Sequence, residues 1–326
     1  MLSRVAESVY WMSRYIERAE SIARLIDVNL HLTLDMPGAS AAHWQAVIAT
    51  TGDYSRYQSA YVNVTPDNVI EFLVFDYDNP NSVYSCLRAA RENARSIREI
   101  ISSEAWEQIN GFYLMVHDAS REQSRLELPS EFFRSIRVHS HTIQGAIHST
   151  MTHDEPWHFS RLGRLLERGE QTARLIDTKY FLLLPSPEYV GSTLDDVQWS
   201  AVLRSASGFE MYRKRYGRID PPRIIEFLLL DRSFPRSSNY CIQKADESLH
   251  EITGTPAGRF ANKAERELGR LRYDFAFLEA DTIIGSGLHE FLDNLQTRFI
   301  GVGTAIFDTF FALRAHQSQM QQQGKQ

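Results

Sequence analysis

Six charged residues, Arg14, Glu17, Arg18, Glu20, Arg24 and Asp27, recur in the same order 150 positions later as Arg164, Glu167, Arg168, Glu170, Arg174 and Asp177. Arginine offers a planar fork of donors that grips both oxygens of a carboxylate, while a carboxylate can hold an ammonium or move a proton. Such a set is equipped to recognise the charged ends of a peptide or amino acid. It is also equipped to act as general acid or base and oxyanion stabiliser on an amide. The two surrounding segments, Arg14 to Asp27 and Arg164 to Asp177, are identical at nine of fourteen positions. Average residue usage predicts about one match, so the recurrence is a duplication.

At about 100 degrees per residue, Met12, Ile16, Ala19, Ala23 and Ile26 fall on one broad helical face, and Arg14, Glu17, Glu20, Arg24 and Asp27 on the other. Charged neighbours three or four apart can touch along the stripe. A solvated ladder of ion pairs would look the same and contribute under about 1 kcal/mol per pair. The two copies argue for enclosure instead. The apolar face drifts, with Tyr15 against Leu165 and Ile22 against Thr172, whereas every charged residue is kept. A buried charge without its partner is costly, so substitutions there are selected against. The stripes are then either a structural network between helices or a ligand site, and a pseudo-twofold arrangement would bring both to one crevice.

The elements that must position these residues read as helices. A second block, Ile70 to Cys86, matches Ile225 to Cys241 at an offset of 155, with eight of seventeen positions identical. A third, Glu131 to Ile147 against Glu290 to Ile306, keeps four of seventeen. The expected fold is all-α, a tandem-duplicated multi-helix bundle with two pseudo-equivalent halves, residues 1–155 and 156–316, followed by a disordered polar tail, 317–326. A loop around Pro185 and Pro187 accommodates the first difference in length. Thr65-Pro66 and Asp220-Pro221 mark helix starts, and Ser82 caps a helix expected to run to about Ile101. Gly285-Ser286-Gly287 must break the last long helical segment. The apolar clusters Phe72 to Phe75 and Phe227 to Leu230 are too short for periodicity to separate helix from buried strand.

On the helix from Ser82, Arg88, Arg91 and Arg95 share one side with Arg98 and become Gln243, Asp246 and His250 in the second half. That stripe is a possible anion-binding site for a phosphate, acyl phosphate or acidic peptide, or a face paired to its own glutamates Glu92 and Glu99. No metal-ligand spacing, dinucleotide fingerprint or phosphate loop emerges, so neither metal nor cofactor is expected. A net charge of −6 disfavours a nucleic-acid coat, and no apolar run is long enough to span a membrane. Two cysteines, Cys86 and Cys241, are too few for a disulfide framework and read as small packing residues in a reducing cytoplasm.

The segment Tyr10-Trp11-Met12-Ser13-Arg14-Tyr15-Ile16-Glu17-Arg18-Ala19-Glu20, its second copy within Arg161 to Asp177, and Asn79-Pro80-Asn81-Ser82 with Cys86-Leu87-Arg88-Ala89-Ala90-Arg91 resemble the alpha-E family, a bacterial all-helical family named for its Glu-Arg motif. Glu17-Arg18 and Glu167-Arg168 are this sequence's versions of that pair. Members of that family tend to be encoded beside circularly permuted ATP-grasp ligases and transglutaminase-like proteins. The resemblance therefore implies such partners and a role in making, modifying or cleaving amide bonds. The expected function is a component of that pathway which binds a charged peptide or amino-acid substrate or docks the ligase. An enzyme using Glu17 or Glu167 as general acid or base, and a purely structural scaffold, are the alternatives.

Overall fold

The computed structural model describes residues 1–35, 40–122, 130–181 and 191–312. The tail 317–326 and the loop at Pro185 and Pro187 lie outside these residues. Among them every regular element is helical and none is a strand. Those preceding the second copy of the charged stripe are α1 (Ser3–Asp35), α2 (Ser40–Thr51), α3 (Tyr54–Ala60), α4 (Pro66–Ile70), α5 (Val83–Ser96), α6 (Ser103–Ala119) and α7 (Ser130–Thr150). The rest are α8 (Glu155–Phe181), α9 (Thr193–Ser205), α10 (Phe209–Tyr216), α11 (Pro221–Ile225), α12 (Ser238–Thr253), α13 (Lys263–Phe275), α14 (Ala280–Gly285) and α15 (Leu288–Ile306). No helix among the described residues is long and apolar enough to cross a membrane.

The stripe-bearing helices form the centre. α1 packs against α5, α7 and α8, and α8 packs against α1, α12 and α15. The apolar side of α1 buries Met12, Ile16, Ala19, Ala23 and Ile26, as the helical wheel requires. Its polar side is buried as well, because the facing surface is the equally charged side of α8. Gly163 of α8 lies against the Tyr10 backbone, where an added Cβ would stand 2.4 Å from the carbonyl oxygen.

Several local readings hold and some are corrected. Thr65 and Ser82 accept from the Asn68 and Ser85 amides as helix caps, whereas Asp220 makes no side-chain cap before Pro221. The helix from Ser82 stops at Ser96 rather than Ile101, because Ile97 leaves helical geometry and Ser102 caps a new helix by accepting from the Ala105 amide. The two ambiguous apolar clusters are π-helices, Glu71–Phe75 and Glu226–Leu230, closed by the Asp76 and Asp231 amides on the Glu71 and Glu226 carbonyls at 2.8 and 3.0 Å. In each, the following aspartate turns the chain: Asp76 Oδ1 accepts from the Asp78 amide, and Asp231 Oδ1 from the Ser233 amide. Those turns deliver Asn81 and Arg236 to the central helices. The break at Gly285-Ser286-Gly287 falls between α14 and α15, where Gly287 has a φ of 101°.

Candidate functional site

Glu167 on α8 sits between two arginines of α1. Arg14 donates from Nε at 2.7 Å, and Arg18 donates from Nε and Nη2 at 2.7 and 3.0 Å. Glu17 on α1 receives the reciprocal grip, from Arg168 Nε and Nη2 at 2.7 and 2.8 Å. Each Glu-Arg pair therefore holds the other copy's partner across the helix interface. Arg14 also reaches Glu170 at 3.0 Å, and Glu170 accepts from Arg174 at 2.9 Å, while Arg24 donates to Glu20 at 2.6 Å. Exposure of Glu17, Glu20 and Glu167 is 0%. The predicted enclosure is present, and the stripes face each other as a buried network.

Asp27 and Asp177 lie outside this knot. Asp27 is held by Arg137 of α7, and Asp177 accepts from His289 of α15 at 2.7 Å. The first-half basic stripe is engaged elsewhere. Arg91 donates to Asn110 at 2.7 Å and to Glu92 at 3.0 Å, Arg95 donates to Glu92 at 2.9 Å, and Arg88 stacks on the Tyr77 ring at 3.7 Å. Arg98, beyond the end of α5, lies over Trp106 at 4.9 Å. No group of three or more His, Cys, Asp or Glu side chains among the described residues is placed to hold a metal ion. Cys86 and Cys241 are free and buried, and burial pushes both thiols up to about 12.

The model of the Alpha-E family, described as a predicted alpha-helical domain with a conserved ER motif, matches residues 1–311. The chain belongs to the Alpha-E family. Uncharacterized proteins of Mycobacterium bovis and Mycobacterium tuberculosis are 24% identical to it over 273 residues, covering 77% of this chain and 30% of theirs. The chain thus spans less than a third of the length of these curated relatives. No solved structure matches it.

In this Alpha-E chain the network includes residues that the stripe does not reveal. Arg236 donates to Glu17 at 3.2 Å and to Glu20. From α7, Ser140 donates to Glu20 at 2.6 Å and Gln144 to Glu17 at 3.2 Å, and His141 lies 3.3 Å from Glu20. Asn81, which aligns with Arg236 at offset 155 in the sequence, accepts from Arg18 at 2.9 Å and donates to Asp53 at 3.0 Å. The one signal for Arg236 and Asn81 is their shared place in the second repeated block. Four buried glutamates, Glu17, Glu20, Glu167 and Glu170, are bonded by six arginines: Arg14, Arg18, Arg24, Arg168, Arg174 and Arg236. Arg164 makes a seventh, reaching the network among the described residues through Gln144 Oε1 at 3.0 Å. The knot is cationic in excess.

Burial alone would raise the Glu167 carboxyl, but Arg18 and Arg14 outweigh it and hold it well below the ordinary range. Burial acts likewise on Glu20, where Arg236, His141 and Arg24 prevail and lower it. A carboxyl with a depressed folded-state pKa binds its proton more readily unfolded, so its stabilisation is complete above the unfolded pKa of about 4.3 and is lost as pH falls toward the folded value. Thermal melts should accordingly show Tm falling steeply once pH drops below about 4.3. Replacing Glu20 by glutamine should flatten that acid limb, whereas an unchanged limb would mean Glu20 contributes nothing to it.

Proposed function

We propose that this Alpha-E chain is a binding component of an amide-bond modification pathway, acting on a carboxylate-bearing peptide or amino acid, with the reciprocal Glu-Arg pairs as its frame. The carrying observation is the surplus of guanidinium groups over carboxylates, which favours an anionic ligand where the network opens to solvent. One such opening is a crevice of about 780 Å³ between α1, α7 and the α9–α10 turn, lined by Arg24, Arg137, Arg204 and His31, with Asp27 and Glu210 as its acids. Its apolar wall includes Val28, Leu32 and Phe209. Arg204 is exposed, stacks on Phe209 at 4.1 Å, and has no carboxylate partner among the described residues.

Backbone strain singles out the same crevice. Ser207, which lines it, has a φ of 52°, while its counterpart at offset 155 is Gly52 with a φ of 79°. The left-handed conformation costs a non-glycine residue about 1 kcal/mol or more, and such residues cluster at functional sites. Keeping serine there presents a hydroxyl to the crevice.

Glu17 and Glu167 are positioning groups in this reading, because the oxygens of both already accept from arginines. An acid–base role would require breaking those bonds first. The company kept by the family makes a circularly permuted ATP-grasp ligase or a transglutaminase-like protein the natural partner. Two halves, 1–155 and 156–316, and a reducing cytoplasmic location complete the proposal. It is tested by fluorescence anisotropy with a labelled glutamate-rich peptide and a lysine-rich control. Reversing Arg204 to glutamate should weaken the acidic peptide about tenfold without altering circular dichroism. Equal binding of both peptides, or no effect of R204E, would contradict it.

A further inference from the structure

We propose that a second cavity, of about 70 Å³ at the Arg164 guanidinium between α1, α7 and the start of α8, binds the carboxylate of a small organic acid or of an acidic side chain. It is separate from the larger crevice and does not rest on that reading. Along α1, Ser13 at this cavity and Arg24 at the crevice are about 16 Å apart by helical rise. Glu20 and its partners seal the helix interface between them.

Two differences between the copies create the site. Tyr10, whose hydroxyl accepts from Arg14 at 3.2 Å, has Ser160 as its counterpart 150 positions later, and Ser160 lines the cavity where the other copy has a ring. Asn81 has Arg236 as its counterpart, and Arg236 takes oxygens of Glu17 and Glu20. Those glutamates correspond to Glu167 and Glu170, the partners of Arg14. Arg164, the counterpart of Arg14, is thus left with no carboxylate partner among the described residues. Of the five N–H groups a guanidinium carries, one is bonded among the described residues, from Nη1 to Gln144 Oε1 at 3.0 Å. Burial and the neighbouring Arg168 push its pKa down to about 10, as expected for a cation short of counter-charge.

The lining suits a carboxylate on a short apolar body. Ser13 and Ser160 have hydroxyls 2.8 Å apart, so one donates to the other and the second O–H is left for a ligand, while Ile16, Ile143 and Trp157 supply apolar wall. A planar carboxylate matches the guanidinium fork, and one water needs roughly 10–15 Å³, so the space holds a group no larger than a few waters. Glu17 also lines the cavity, but its charge is already met by Arg168 and Arg236.

The test uses the full chain with ¹³C-labelled acetate and propionate at constant ionic strength, chloride being the balancing anion. NMR titration is expected to show a saturable site that chloride does not displace and that remains in R204E. Arg164→Gln should weaken acetate about tenfold, and Arg164→Lys should retain part of the affinity. Ser160→Tyr, which restores the ring of the other copy, should remove binding while circular dichroism stays native. It also serves as the second variant if Arg164→Gln fails to fold. Uptake that does not saturate, displacement by chloride at matched concentration, or unchanged affinity in either folded variant would overturn the proposal. Because R204E alters only the larger crevice, acetate binding that survives R204E separates failure at one site from failure at the other.

Discussion

Replacing Glu167 by glutamine is expected to destabilise the protein by about 3–5 kcal/mol, the range for breaking a buried ion pair from one side. The carboxylate has 0% exposure and accepts from Arg14 at 2.7 Å and from Arg18 at 2.7 and 3.0 Å. Glutamine nearly preserves the shape but removes the negative charge and puts donors where an acceptor is needed. Arg14 keeps Glu170 and Arg18 keeps Asn81, so the loss falls short of stranding both guanidinium groups. Urea denaturation measures it. The same substitution at Glu92, which is exposed and paired with Arg91 and Arg95, should change stability by less than about 1 kcal/mol. Similar losses at the two sites would mean that water reaches Glu167 as freely as Glu92.

Gly163→Ala should be nearly as damaging, for a steric reason. The new Cβ would lie 2.4 Å from the Tyr10 carbonyl oxygen, which is backbone of α1 and cannot rotate away. Helix propensity favours alanine by up to about 1 kcal/mol, while overpacking costs about 1–3 kcal/mol before any secondary loss. The secondary loss follows from geometry: relieving the clash moves α1 from α8, lengthening the Arg14–Glu167 and Arg168–Glu17 bonds together. A net loss of roughly 3 kcal/mol is expected. Gly145 on α7 and Gly111 on α6 have nothing within 4 Å of an added Cβ and are the controls. Alanine there should stabilise by about 0.5–1 kcal/mol. A stabilising Gly163→Ala would show that the helices do not meet so closely.

The burial of the stripe was legible because duplication supplies a comparison within one chain. Arg14, Glu17, Arg18, Glu20 and Arg24 persist while Tyr15, Ile16 and Ile22 change, and burial of charge is the physical condition that makes this pattern. The helical class followed from apolar spacing, and the caps at Thr65 and Ser82 from side-chain chemistry. Other features left weaker traces. Arg236 is a single arginine in a turn, and its counterpart Asn81 differs in charge, so their shared place in the second repeated block is the one trace of its role. Ser140, His141 and Gln144 come from the least similar repeated block, and their polarity reads equally well as a solvated face. The π-helices were illegible because an apolar run of four residues, Phe72 to Phe75 or Phe227 to Leu230, carries no usable period. The stop at Ser96 depends on Ser102, whose capping role competes with an otherwise continuous helical pattern.

The asymmetry between copies accounts for the position of the proposed carboxylate site. One copy closes its arginine with Tyr10, Glu167 and Glu170. The other substitutes Ser160 for the tyrosine and diverts the glutamates to Arg236, leaving Arg164 facing a cavity. Duplicated elements of equal sequence would have closed both ends alike.

A double-mutant cycle between Glu17 and Arg168, using Glu17→Gln and Arg168→Met, tests the sealed reciprocal interface most directly. The two groups are bonded at 2.7 and 2.8 Å and lie on different helices, so no local helical pairing contributes. A coupling energy above about 2 kcal/mol, little changed between low and high salt, is the expected result. A coupling below about 1 kcal/mol that fades with added salt would mean a hydrated surface pair, contradicting an enclosed network.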